Sequence, residues 1–132
     1  MIFIPFHNGP INLTLVTHVD IANKGIVYFL NRATVKPRTL DEFKDLCQHI
    51  GMASKLTGTL LLLTDRMINL EHVCRVSDGG KRMHFANGND TEIIGDENIL
   101  AVQESLNGLM QQAYVQRAQD MGLVIPRGGI IG

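Results

Sequence analysis

The sequence is poor in the features that usually announce a protein's chemistry. Its two cysteines, Cys47 and Cys74, are too few for a disulfide framework and, by themselves, for a zinc site. They read as two reduced thiols of a cytoplasmic protein. The longest purely apolar run, Leu60-Leu61-Leu62-Leu63, falls far short of the roughly 20 residues a membrane helix needs, so no membrane partner is expected. The opening Met1-Ile2-Phe3-Ile4-Pro5-Phe6 has no basic region and no small-residue cleavage site, and does not read as a signal peptide. Charge is nearly balanced, with 12 basic and 13 acidic residues scattered along the chain. No basic tail points to nucleic acid and no acidic block to a solvating segment. Nucleotide-binding glycine loops, a His-Glu-x-x-His metal pair and a Gly-x-Ser-x-Gly nucleophile turn are all missing. No cofactor is expected, and a non-catalytic module is favoured over an enzyme.

What is present is a repetition. The chain has 132 residues, 45% of them hydrophobic, enough for a single domain with a real core. Phe3-Ile4-Pro5-Phe6-His7-Asn8-Gly9-Pro10-Ile11-Asn12-Leu13 matches Leu60-Leu61-Leu62-Leu63-Thr64-Asp65-Arg66-Met67-Ile68-Asn69-Leu70 in its apolar start, polar turn and Ile-Asn-Leu triplet, with Ile68 lying 57 residues after Ile11. The same offset pairs Val16 with Val73 and Val19 with Val76. One residue is lost in the next turn. Thereafter an offset of 56 pairs Phe29 with Phe85, Asn31 with Asn87, Phe43 with Ile99, Leu46 with Val102 and Ile50 with Leu106. A one-residue gap in a glycine-rich turn is where a hairpin tolerates it. Residues 1–52 therefore read as repeat one, 58–108 as repeat two, and 109–132 as a helical extension and tail.

The predicted fold class is α+β: a tandem duplication of a strand-rich ββββα unit, forming one domain with internal pseudo-two-fold symmetry. Strands are predicted at 2–7, 11–20, 25–31 and 33–37, and again at 59–64, 67–77, 81–86 and 90–94. Val16/Val19 and Val73/Val76 are spaced by three, which a plain strand cannot place on one face; a bulge or helical turn is expected just after each Ile-Asn-Leu. Pro5 and Pro10 cannot donate ladder hydrogen bonds, so the first strand belongs at an edge or is bulged. Helix one starts at the Thr39-x-x-Glu42 capping box, buries Phe43, Leu46, Cys47 and Ile50, and is expected to end at Gly51. Helix two is expected to take Asp96 as its N-cap and to run about 26 residues to Gly122, with a kink at Gly108. Its apolar spacing through Ile99, Val102, Leu106, Leu109 and Ala113 is that of a helix packed on another helix.

At Ile-Asn-Leu followed by hairpin, Asn-Gly and helix, each unit resembles very small bacterial proteins of the flagellar-operon FlbD type. The element order also resembles that of whirly-type and PUR-type single-strand nucleic-acid binders, in which two such units form one pseudo-dimer. The latter resemblance implies a sheet that binds single strands.

Candidate residues follow from these readings. Lys24, Arg32, Lys36 and Arg38 near Tyr28 and Phe29, with Arg75, Lys81 and Arg82 in the matching hairpin, form a candidate nucleic-acid face. Only seven aromatics exist, five Phe and two Tyr, and most are better used in a core. Leu109, Met110, Ala113, Tyr114, Met121, Val124 and Ile130 form a candidate oligomer interface, because their apolar surface has no counterpart in repeat one. His72, Cys74 and His84 could cluster as a metal or thiol site, although ordinary polar filling of a half-buried strand is favoured. Asn12 and Asn69 read as residues that satisfy backbone groups at a bend. Arg127-Gly128-Gly129 is a single copy of an RNA-tail motif and reads as a plain terminus. The leading expectation is a binding or assembly module whose partner is itself or another protein. Single-strand binding by the sheet, and a small-ligand or enzyme site in the cleft between repeats, are the alternatives.

Overall fold

The computed structural model describes residues 1–124. The chain is mixed α+β, and its described residues divide into two compact units, 1–74 with 85–89, and 75–84 with those from Asp90 onward. In chain order the first strands are β1 (Phe3–Ile4), β2 (Ile11–Asn12), β3 (Val16–Asp20), β4 (Ile26–Phe29) and β5 (Thr34–Val35), followed by helix α1 (Leu40–Leu56). Then come β6 (Leu60–Leu62), β7 (Arg66–Asn69), β8 (Val73–Ser77), β9 (Arg82–Phe85) and β10 (Asp90–Glu92), followed by α2 (Asp96–Met110), one π turn (Gln111–Val115) and α3 (Gln116–Asp120).

The first unit is built on a five-stranded antiparallel sheet in the order β5-β4-β3-β7-β6, beside the small hairpin β1-β2. Proline explains why that hairpin is short. β1 stops before Pro5 and β2 starts after Pro10, neither of which has a backbone N–H to give. β6 and β7 contain no proline and run longer. Leu13–Leu15 forms a 3-10 turn directly after β2, and Leu70–His72 forms another after β7. The register of β3 on β4 then slips between Val16 and His18. The turn and the slip together let Val16 and Val19 both bury. The core gathers Leu13 from the first 3-10 turn, Val16, Val19, Val27 and Met67 from the sheet, and Leu46, Ile50 and Ala53 from α1. In α1, Thr39 caps the helix by accepting from the Glu42 N–H at 3.1 Å. The helix does not end at Gly51. It continues to Leu56, because Leu46, Ile50 and Ala53 carry one buried stripe straight through the glycine.

The second unit holds a three-stranded sheet in the order β10-β9-β8, with β9 and β10 antiparallel. Met83, Thr91 and Ile93 are buried, as are Asn98 and Val102 of α2. Gln103 of α2 donates to the Gly79 carbonyl at 2.6 Å, tying the helix to the β8–β9 turn. Two expectations for this helix are corrected. Its N-cap is Gly95, without a side-chain cap bond, and Asp96 is its first residue. No kink falls at Gly108; the irregularity is the π turn at Gln111–Val115. A π turn adds one residue to the helical repeat. The buried positions accordingly shift to Val115 and Ala118, and Ala113 and Tyr114 turn to solvent. Gly122 (φ +73) ends the helix, with the Leu123 N–H donating to the Ala118 carbonyl at 2.9 Å.

Candidate functional site

The most ordered polar constellation lies around His18 in the first unit. Its imidazole stacks on Tyr28 (centroids 4.3 Å, planes 7° apart) and on Phe85 (5.0 Å, 6°). Thr17 Oγ1 lies 3.0 Å from His18 Nδ1 and donates its single proton to the Tyr28 carbonyl at 3.2 Å. It can therefore only accept from the ring, which places the imidazole proton on Nδ1. Burial, and secondarily the Arg66 guanidinium, outweigh Asp20 and lower the His18 pKa to about 4. The ring is neutral at ordinary pH. A hydroxyl beside an imidazole suggests a nucleophile and its base. Thr17, however, is fully buried and its proton is committed to a carbonyl, so it has no proton to pass to the ring in this geometry. Arg66, opposite Asp20 in the ladder, pairs with Asp65 at 3.1 and 2.9 Å.

A second hydroxyl–imidazole pair lies on the other sheet, where Ser77 Oγ is 2.8 Å from His84 Nε2 and the Arg75 guanidinium is 3.4 Å from the same nitrogen. Both residues are half-buried. Among the described residues His84 has no carboxylate to orient it, and Asp90 opposite it in the ladder is paired with Arg82 at 2.9 Å. A general base needs that third group.

The turn after β4 and the turn after β9 are joined side to side. Arg32 donates from Nε and Nη2 to the Asn87 carbonyl at 3.0 and 2.6 Å, and the Asn87 carboxamide donates to the Phe29 carbonyl at 3.3 Å. Asn31 and Asn87 each accept from the N–H two residues on, at 2.9 and 3.0 Å. Asn12 and Asn69 do the same at the two 3-10 turns, at 3.0 and 3.1 Å. All four asparagines shape backbone.

The candidate nucleic-acid residues are dispersed in their duties. Lys24, Lys36 and Lys81 are exposed. Arg32 is spent on Asn87, Arg38 donates to Asn8 Oδ1 at 3.3 Å, Arg82 pairs with Asp90, and Arg75 leans on His84. Of the candidate interface, Leu109 and Met110 are half-buried, Ala113, Tyr114, Met121 and Val124 are exposed, and Ile130 lies outside the described residues. His72, Cys74 and His84 do not form a site. His72 Nε2 bonds the Thr14 carbonyl, Cys74 is exposed without a partner of this kind, and His84 serves Ser77. No group of three metal-ligating side chains occurs among the described residues.

The chain matches no family model, and no curated protein matches it.

The clefts on the described part of the first unit include two of contrasting character. One, of about 270 Å³, has polar walls that include Thr14, Thr57, Thr59, Asn69 and Glu71. Its Thr57 and Thr59 hydroxyls bond each other at 3.0 Å. The other, of about 410 Å³, is apolar, with Phe43, Leu40, Pro37 and Ile21 around the single cation Lys24. Neither brings an acid, a base and a nucleophile together. The His18 stack escaped sequence reading because no local signal marks which strands will neighbour β3. Asn31 and Asn87 carried a signal, the recurrence of asparagine 56 residues on within a similar sequence pattern.

Among the described residues no helix is long and apolar enough to cross a membrane.

Proposed function

We propose that the chain is a tandem duplication serving as a non-catalytic assembly module, which self-associates through its C-terminal helix and tail. Support for the duplication is the coincidence of element bounds. The 3-10 turns Leu13–Leu15 and Leu70–His72, and the strands β3 (Val16–Asp20) and β8 (Val73–Ser77), agree at an offset of 57. β4 (Ile26–Phe29) and β9 (Arg82–Phe85) agree at an offset of 56, and α1 and α2 start that same distance apart.

The observation that carries the assembly reading is exposed apolar surface at the end of the chain. Tyr114, Met121 and Leu123 are more than half exposed and Val124 is 92% exposed. Tyr114 lies in the π turn and Met121 directly follows α3. Large apolar groups concentrated in this way mark an interaction surface. A second copy is the occupant favoured by the near-neutral chain, whose net charge of −1 opposes self-association little. Light scattering over a range of concentrations tests this. Dimers or larger assemblies are expected, and a strict monomer at high concentration overturns the reading.

A further inference from the structure

We infer that the outer edge of β8 is a self-pairing strand, in which residues 75–77 bond antiparallel to residues 75–77 of a second copy about Val76. The register of this pairing rests on the duplication reading.

β8 is the last strand of its three-stranded sheet, and among the described residues no strand lies on its outer edge. Such an edge presents N–H and C=O groups that template pairing. The strand at the matching place, β3, has no free edge, for it lies between β4 and β7. It meets β7 through His18↔Ile68, Val19↔Met67 and Asp20↔Arg66. The residues 57 places on are Arg75, Val76 and Ser77. The difference shows in burial: Thr17 and His18 are buried, whereas their counterparts Cys74 and Arg75 are exposed.

The matching hairpin cannot supply the strand. At the places of Arg66, Met67 and Ile68 it carries Gly9, Pro10 and Ile11. Pro10 has no N–H, and β2 begins only at Ile11. Repeat two kept the acceptor edge, while repeat one lost the strand that would cover it.

The edge is complementary to itself in one register. Centred on Val76, an antiparallel pair sets Val76 against Val76 and Arg75 against Ser77 of the other copy, so that apolar meets apolar and a guanidinium meets a hydroxyl. Centring on Arg75 would oppose two guanidinium groups. Three residue pairs result, as many as join β3 to β7. The two-fold axis closes the pair as a dimer, with the sheets of both copies continuous across it.

Cysteine scanning of the full chain, with Cys47 and Cys74 changed to serine, tests the register. Residues directly opposite in an antiparallel pair have Cα atoms about 4.5–5.5 Å apart, within disulfide reach. Val76→Cys is expected to cross-link to itself under mild oxidation at least roughly tenfold faster than Arg75→Cys or Ser77→Cys alone, whose like residues sit beyond the ~7 Å limit. A mixture of the Arg75→Cys and Ser77→Cys chains is expected to cross-link. Ser77→Arg, which opposes like charges, is expected to weaken the dimer roughly tenfold, and adding Arg75→Glu to restore it. Equal cross-linking at all three positions, or none at 76, overturns the inference. If none occurs while light scattering still shows an assembly that Tyr114→Glu dissociates, the edge is refuted and the helix reading stands. A monomer at every concentration refutes both.

Discussion

Asn12 and Asn69 hold the same place in two similar turns, yet they do unequal amounts of work. Asn12 is half-exposed and accepts one bond, from the Thr14 N–H. Asn69 is 1% exposed, accepts from the Glu71 N–H, and donates to the Leu13 and Val16 carbonyls at 3.3 and 3.0 Å. Truncation at Asn69 removes a donor to two backbone carbonyls, one of which, Leu13, also accepts from the Val16 N–H, as well as the acceptor for the Glu71 N–H. Asn69→Ala should therefore cost about 3 kcal/mol, and Asn12→Ala about 1 kcal/mol, by urea denaturation. Gly25 is a different case. Its φ is +76, and a Cβ there would lie 2.8 Å from Cδ2 of Phe43 and 3.3 Å from Leu46. Gly25→Ala combines backbone strain with overpacking and should cost about 2–3 kcal/mol in the same assay. His18 makes stability depend on pH. Its folded pKa of about 4 lies below the ordinary 6.5, so its contribution is complete above pH 6.5 and is lost as pH falls through 6.5 toward 4. Between pH 7.5 and 5 the loss should be about 2 kcal/mol. His18→Phe keeps a ring in the stack and should remove that part of the pH dependence. Glu42 does not confuse the measurement. Partial desolvation works to raise its pKa, but hydrogen bonds from the Arg38 N–H and from His7 outweigh it and hold the carboxyl below its usual range. Its contribution is lost only at lower pH.

Among the elements, helices show best what sequence carries and what it does not. The cap at Thr39 and the Leu46/Ile50 stripe were legible because they are local patterns of side chains on one helix. The end of α1 was not. Gly51 looks like a stop when judged by backbone preference, but Ala53 is buried two residues later, and tertiary packing overrides a cost of about 1 kcal/mol. The 3-10 turns after Ile-Asn-Leu were legible for a similar local reason, since asparagine can bond the N–H two residues on and bend the chain. The π turn was not legible, because the apolar spacing runs on through Leu109 and Ala113 without a break. The glycines make the point testable. A Cβ added at Gly51 or at Gly108 meets nothing within 4 Å, and both residues lie inside helices. Gly51→Ala and Gly108→Ala should each stabilise the chain by about 0.5–1 kcal/mol, raising the thermal midpoint.

At the scale of the whole molecule, on the duplication proposed above, the places where the two halves differ matter more than those where they agree. β3 and β8 have similar lengths and apolar spacing, but among the described residues only β3 lies between two strands. Pro5 and Pro10 flank the short β1-β2 hairpin, whereas the proline-free β6-β7 pairs over three residues; on the duplication reading this is why β8 lacks the partner strand that β3 has. No reading of the β8 segment by itself could show this. The C-terminal helix diverges in the same sense. α1 is buried along a stripe that reaches Ala53 and ends three residues later at the exposed Leu56, whereas the second helix continues through the π turn and brings Tyr114 and Met121 out to solvent. If those side chains hold copies together, a charge placed on them must weaken the assembly without unfolding the chain, because neither is part of the core. Tyr114→Glu with Met121→Glu should raise the dissociation constant by more than roughly tenfold, measured by sedimentation equilibrium. The urea midpoint, taken at a concentration where the chain is monomeric, should move by less than about 0.5 kcal/mol. An unchanged dissociation constant would show that the exposed apolar end has another occupant.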